Sequence, residues 1–106
     1  MRSSLFGIIG DPIDHSLSPA MQQAAFRALH LSHLYLPLRV PPKALSDFVT
    51  RARDWPLLKG FNVTLPHKET ILACLDEVDP QAKAIGAVNT VVCSQGKWTG
   101  YNTDGK

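Results

Sequence analysis

The amino-acid sequence predicts an α/β fold: an open, mostly parallel twisted sheet with helices on both faces and a C-terminal strand hairpin. Short, nearly continuous apolar runs, typical of strands buried on both faces, alternate with segments whose apolar residues recur at helical spacing. The last two such runs, residues 87–94 and 97–101, are separated only by Gln95 and Gly96, which favours a hairpin. The 106 residues, 44% of them hydrophobic and 19% charged, suit one compact domain with one core.

The first half of the chain is predicted to alternate strand, helix, strand and helix. Residues 5–9 form an apolar run of strand length. Residues 19–31 carry apolar side chains at helical spacing, namely Met21, Ala24, Ala25, Ala28 and Leu29. Residues 34–40 follow as a second strand. Residues 42–54 give the clearest amphipathic helix, with an acid and a base four residues apart on its surface.

The second half is predicted to hold a third strand, two short helices and the hairpin. Residues 60–63 form the strand, and residues 66–75 and 79–85 form the helices. Asp79 is suited to cap the second of these helices, and Pro80 to occupy its first position. Alternation of strands and helices implies parallel pairing, to which the hairpin adds antiparallel strands.

Composition excludes several classes of function. The net charge of +2 is small and the basic residues are scattered, which argues against nucleic-acid binding. Apolar runs fall well short of the roughly 20 residues that span a bilayer, and the start of the chain lacks a cleavage-site pattern, so we expect a cytoplasmic protein.

The cysteines and histidines do not predict a metal site. Cys74 and Cys93 have neither zinc nor redox spacing and are expected to be buried free thiols. His30 and His33 lie three residues apart, but no carboxylate or cysteine joins them. Nor does a GxGxxG pattern follow any predicted strand, so the chain shows no nicotinamide or flavin site of its own.

Polar residues cluster where the first predicted strand gives way to a helix. Ser18 is a plausible helix N-cap, Pro19 fits the first helical position, and Ser16 lies two residues earlier. Two hydroxyls beside the free N–H groups of a helix N-terminus would suit a carboxylate or phosphate. A simple Ser-Pro helix cap explains the same residues, and both interpretations stay open.

A second polar group follows the third predicted strand. Asn62 and Thr64 can both donate to and accept from hydroxyls, and Lys68 is predicted in the first turn of the next helix. A cation there opposes the helix dipole, and together with partial burial this would lower the lysine pKa, as suits proton transfer. The alternative is a solvated surface lysine.

Asn89 and Asp104 complete the set of candidate residues. Asn89 stands at the start of the fourth predicted strand, and Asp104 lies beyond the last one, in a stretch that also suits a plain polar turn. Two serines, a threonine, two asparagines, a lysine and an aspartate would together suit a small polyhydroxylated acid. A lysine held near an aspartate could then exchange a proton with one hydroxyl.

Four motifs carry a resemblance to a known family. GDPIDHSLSPAM, GFNVTLPHKE, GAVNT and GYNTDG occur in the order and at spacings similar to those in the substrate-binding half of shikimate dehydrogenases, and the resemblance extends over essentially the whole chain. The resemblance implies NADPH-dependent reduction of 3-dehydroshikimate to shikimate, a step toward the aromatic amino acids.

The resemblance also implies roles for individual residues. Ser16 and Ser18 would hold the substrate carboxylate, with Thr64 sharing it. Asn62 and Thr64 would bind the ring, and Asn89 would bind hydroxyls. The two serines together with Asn62 favour shikimate over quinate as the substrate.

Lys68 and Asp104 would be the catalytic pair that flanks the reacting oxygen. Lys68 would act as the general acid in ketone reduction, or would polarise the carbonyl. Asp104 would orient the lysine, stabilise its charged form and bind a hydroxyl. Asn102 and Thr103 would support the turn that carries Asp104.

Members of this family continue past the last motif into a Rossmann domain that binds NADP, whereas this sequence ends at Lys106. We therefore expect an excised substrate domain, with a stand-alone binding module as the alternative, and a structural domain whose polar residues only cap helices as a third. The isolated chain should hold no cofactor and should not turn over. Apolar surface normally covered by the connecting helices is expected to promote self-association.

Overall fold

The computed structural model describes residues 4–13 and 18–104. In these residues six strands form one sheet in the order β2-β1-β3-β5-β6-β4. The strands are β1 Leu5–Gly10, β2 Leu34–Arg39, β3 Leu58–Val63, β4 Glu77–Val78, β5 Thr90–Ser94 and β6 Lys97–Tyr101. The α-helices are α1 Ser18–Ala28, α2 Leu45–Ala52 and α3 Pro80–Ile85, and 3-10 turns cover Pro42–Ala44 and Thr70–Cys74.

The strand directions confirm the predicted fold class. β1 pairs in parallel with β2 and β3, and β4 pairs in parallel with β6. β5 runs antiparallel to both β3 and β6. The β5–β6 hairpin turns at Gln95 and Gly96, whose φ angles of 53° and 77° match the right-handed twist of the strands. The sheet is therefore mixed, with parallel pairs in the majority.

Both faces of the sheet are covered by helices, as predicted. Neighbouring residues of β1 point to opposite sides: Ile9 joins the large core under α2 and Ile8 the smaller core under α1. The large core also contains Val49, Ala52, Phe61, Ile71, Val88, Val91 and Trp98. Helix α2 confirms the amphipathic prediction, since it buries Leu45, Val49 and Ala52.

Helix α1 lies on the sheet with a face that its apolar periodicity does not indicate. Met21 and Leu29 are 68% and 67% exposed. The helix instead contacts the sheet through Phe26, whose ring packs 5.8 Å from Phe6. Gln23 donates to the His33 carbonyl at 3.1 Å, on the same side of the helix. An apolar stripe of the helix is thus left on the surface.

The predicted helix over residues 66–75 is wrong in its first half. The 3-10 turn begins only at Thr70, so Lys68 lies in the connection before it and not in the first turn of a helix. The Lys68 carbonyl accepts the Val88 N–H at 2.8 Å, which removes it from any helical bond. The His67 ring, 1% exposed, bonds through Nε2 to the Val40 carbonyl. These non-local contacts replace the local helix.

Both cysteines are free thiols, as predicted, but only Cys93 is buried and Cys74 is half-buried. Burial raises the pKa of the Cys93 thiol to about 12. No helix in the described part of the chain is long and apolar enough to cross a membrane.

Candidate functional site

Asn62, Asn89 and Asp104 come to one edge of the sheet because of the strand directions. Asn62 lies near the end of β3, and its partner in β5 is Thr90, the first residue of that strand. Thr90 pairs in turn with Tyr101, the last residue of β6. Antiparallel pairing therefore brings the end of β3, the start of β5 and the end of β6 together.

Asn62 is held at this edge by three hydrogen bonds. Its Oδ1 accepts from the Tyr35 hydroxyl at 2.6 Å. Its Nδ2 donates to the Asn89 carbonyl at 3.4 Å and to Thr90 Oγ1 at 3.3 Å. The side chain is half-buried, so it keeps a face toward solvent while its orientation is set from behind.

Asn89 is nearly buried and joins the strands to the last loop. Its Oδ1 accepts from Thr90 Oγ1 at 2.9 Å and from the Thr103 N–H at 3.0 Å, and its Nδ2 donates to Thr103 Oγ1 at 3.1 Å. Its backbone N–H donates to the Tyr101 carbonyl at 3.0 Å. Through these bonds Asn89 holds the loop that carries Asp104 against the strands.

Lys68 and Asp104 come together although 36 residues separate them. Lys68 Nζ lies 3.5 Å from Asp104 Oδ2, and the side chains are 34% and 70% exposed. The Asp104 N–H donates to Asn102 Oδ1 at 3.0 Å, which forms a local turn of the kind that asparagine favours. Solvent screens an ion pair this exposed, so the pair contributes little to stability. Its importance is that it places the Lys68 ammonium group, an acid, beside a carboxylate.

Thr64 sits where β3 approaches the end of β1. Its N–H donates to the Ile9 carbonyl, and its carbonyl accepts the His67 N–H, both at 3.0 Å. Its Cγ2 methyl occupies the space where a Cβ on Gly10 would lie. A residue with a side chain at position 10 would therefore displace Thr64 or the chain beside it.

The side chains of the two candidate serines are not among those that the structure describes. Ser16 lies outside the described residues. Ser18 is the first residue of α1, and only its backbone is described. The predicted carboxylate site at these serines therefore stays a prediction.

Sequence reasoning missed three residues that hold this site. Tyr35 and Thr90 orient Asn62, and His67 ties the Lys68 segment to the end of β2. Tyr35 stands in an ordinary alternating strand, 27 residues from Asn62, so no local pattern points to their contact. His67 adjoins Lys68, and a histidine in an otherwise exposed turn was the only available signal.

No group of three or more His, Cys, Asp or Glu side chains within residues 4–13 and 18–104 could hold a metal ion. The arrangement at the sheet edge instead offers neutral hydrogen-bonding groups beside one acid and one carboxylate. Such a set can bind hydroxyls and hand a proton to a nearby oxygen.

Comparison with known families decides the relationship. The sequence model of the family described as shikimate dehydrogenase substrate binding domain matches residues 8–91. The chain belongs to this family. The match includes Asn62, Thr64 and Lys68 and ends just after Asn89 and Thr90.

Individual relatives agree with this family. The NADP(+) shikimate dehydrogenase of Methanopyrus kandleri is 50% identical over 105 residues, which are 99% of this chain and 36% of the relative. The solved shikimate 5-dehydrogenase of Thermus thermophilus, in complex with NADP(H) and shikimate, is 44% identical with a TM-score of 0.89. That alignment covers 95% of this chain and 38% of the solved one.

A third relative carries another name. The ligand-free 5-ketofructose reductase of Gluconobacter sp. strain CHM43 is 37% identical, with a TM-score of 0.92, over 97% of this chain and 37% of that one. This chain therefore spans little more than a third of the length of the proteins that it resembles.

Proposed function

We propose that this chain is the substrate-binding domain of an NADP-dependent shikimate dehydrogenase, which reversibly reduces 3-dehydroshikimate to shikimate. The observation that carries the proposal is the Lys68–Asp104 pair, 3.5 Å apart, at the same sheet edge as Asn62 and Thr64. The family match and the relatives' names support the substrate. Under this proposal residues 1–106 act as one domain.

The proposed roles follow from what each group can donate or accept. Lys68 gives a proton to the carbonyl oxygen as it becomes a hydroxyl, or polarises that carbonyl. Asp104 holds the ammonium group in place and accepts from a substrate hydroxyl. Asn62 and Asn89 bind ring hydroxyls, and Thr64 binds both the ring and the carboxylate. Ser16 and Ser18 are proposed to hold the carboxylate, on the strength of the HSLSP motif.

The sequence argues against a dinucleotide site in this chain. No glycine-rich loop of the GxGxxG kind follows a predicted strand. We therefore propose that NADP, the source of the hydride, is bound outside these residues. The residues described here act on the substrate alone.

The wider setting of the proposal is a cytoplasmic enzyme of aromatic amino-acid and chorismate biosynthesis. Its partner is a small molecule, with no nucleic acid and no membrane involved. The isolated chain is also proposed to self-associate through exposed apolar side chains such as Met21 on α1 and Leu29 directly after it. Sedimentation that shows only monomer at high concentration would contradict self-association.

Alternative functions share the same site. One is a non-catalytic module that binds shikimate or quinate, and another is a fragment of a quinate/shikimate dehydrogenase. The likeness to 5-ketofructose reductase favours testing a further polyhydroxylated ketone in parallel. Shikimate, quinate and 5-ketofructose therefore form the ligand panel.

The test is a titration of each ligand into the ¹⁵N-labelled chain, followed by amide NMR. We expect shikimate to shift signals clustered at the proposed contact residues, namely Ser16, Ser18, Asn62, Thr64, Lys68, Asn89 and Asp104. Lys68→Ala should weaken this binding, whereas Lys83→Ala, an exposed lysine on α3, should not. Shifts elsewhere in the chain, equal effects of the two alanines or a stronger response to another ligand would contradict the proposal.

A further inference from the structure

Tyr35 places a buried phenol against the candidate site. The residue is 6% exposed, and its ring packs with Ile8, Ile13, Phe6 and Phe26 under α1. Its hydroxyl reaches across β1 to Asn62 Oδ1, at 2.6 Å. Nothing in the motif pattern assigns this residue a role.

The direction of this hydrogen bond is fixed by its surroundings. The Asn89 carbonyl can only accept, so the Asn62 group that faces it must be the amide nitrogen. Asn62 therefore turns its oxygen toward Tyr35, and the phenol must be the donor. Burial raises the pKa of the Tyr35 phenol above its ordinary value of 10.0, which keeps the donated proton in place through neutral pH.

The same bonds continue from Asn62 to the loop of Asp104. Asn62 Nδ2 donates to Thr90 Oγ1, which donates to Asn89 Oδ1. Asn89 Nδ2 donates to Thr103 Oγ1, one residue before Asp104. The Thr103 backbone N–H, which can only donate, also bonds to Asn89 Oδ1, so the Thr90 hydroxyl links two amides that each have a defined orientation.

We propose that Tyr35 is a positioning residue that fixes the Asn62 amide in one orientation and so sets the polarity which the site offers to a ring hydroxyl. With Tyr35 as donor, Asn62 Oδ1 keeps one lone pair for a ligand hydroxyl that donates. Without the phenol, the amide loses its shortest hydrogen bond, and the longer bonds from Nδ2 to the Asn89 carbonyl and to Thr90 Oγ1 are left to oppose rotation by 180°. The inference rests on the proposed function in one respect, since it takes Asn62 to contact the ligand ring.

The test compares Tyr35→Phe with Tyr101→Phe. The first removes one oxygen and leaves the ring in its apolar cluster; the second removes the same atom from a β6 tyrosine that is 38% exposed. In the ligand-free chain, Tyr35→Phe should shift the side-chain NH₂ signals of Asn62 and speed their hydrogen exchange. Tyr101→Phe should leave those signals in place. A role in packing alone would not move them, because the phenylalanine keeps the packing.

The second readout is shikimate affinity. Loss of one oriented hydrogen bond predicts about 3- to 10-fold weaker binding by Tyr35→Phe and no change by Tyr101→Phe. Unchanged Asn62 side-chain signals would overturn the inference, and so would shifted signals with unchanged affinity. If the unmodified chain binds no shikimate, the proposed function fails. The ligand-free spectra would still decide whether Tyr35 orients Asn62.

Discussion

The absence of a side chain at Gly10 leaves room for the Thr64 methyl, and Gly10→Ala tests this close contact directly. A Cβ at position 10 would overlap the Thr64 methyl and lie 3.0 Å from the Leu65 carbonyl oxygen. The methyl group belongs to a half-buried threonine that is bonded to Ile9, so it has little freedom to move away. Overpacking of this kind costs roughly 1–3 kcal/mol.

The assay is urea unfolding of four chains: the parent, Gly10→Ala, Thr64→Ser and the double variant. Each 1 kcal/mol lost from the unfolding free energy should lower the urea midpoint by about 0.3–1 M. Thr64→Ser removes the overlapping methyl, so the double variant should recover part of the loss from Gly10→Ala, giving a coupling energy of about 1 kcal/mol. Equal stability of Gly10→Ala and the parent, or strictly additive losses in the double variant, would refute the reasoning.

The remaining predictions concern buried and charged groups that are not proposed to contact the ligand. His67→Leu removes the buried donor to the Val40 carbonyl and should lower the unfolding free energy by about 1–3 kcal/mol, with His67→Gln recovering part of it in urea titrations. Cys93 should resist a thiol reagent at pH 8 until the chain unfolds, while Cys74 should react first. The pKa of Cys93 rises from 9.0 to about 12 on folding, so the unfolding free energy should fall as pH rises above 9. This fall should be smaller in Cys93→Ala. Bonds from the Trp98 N–H and then Arg53 lower the pKa of Asp76 from 3.8, so its contribution to stability is present above that pH and is lost as pH falls through the lowered pKa. Asp76→Asn should flatten this acid-side loss in urea titrations that extend below pH 3.8, and an unchanged slope there would contradict the assignment.

Most of the fold could be predicted because the residues within most helices, strands and turns already show the pattern of that element. Helix α2 has an apolar stripe that both forms the helix and buries it, so periodicity alone located it. The Gln95-Gly96 turn likewise follows from two residues between two apolar runs. β4, with two residues, is too short to show any alternation and exists only by pairing with β6.

The region around Lys68 shows where local patterns fail. Residues 66–75 carry enough helical character to predict a helix, but His67 and the Lys68 carbonyl bond to partners far along the chain. Tertiary contacts override propensity there. The expectation that a helix dipole acts on Lys68 depended on that helix and falls with it.

The candidate site was predictable as a set of residues but not as a network. Asn62, Lys68 and Asp104 could be grouped because strand ends meet at one edge and because the motifs resemble a known family. The bond from Tyr35 could not be foreseen, because it depends on which strand lies beside β1 and on which face the tyrosine points.

The antiparallel partnership of β3 and β5 also bears on how the chain folds. The Val63 N–H bonds to the Asn89 carbonyl, and the Asn89 N–H bonds to the Tyr101 carbonyl, so this edge is complete only after segments distant in sequence have paired. Closing such distant pairings is the slow part of folding a sheet protein. A collapsed chain that had not yet paired β5 would have every site residue and no site. Any ligand held at this edge therefore binds the fully paired chain alone, and it stabilises that state by an amount that grows with the ratio of ligand concentration to Kd.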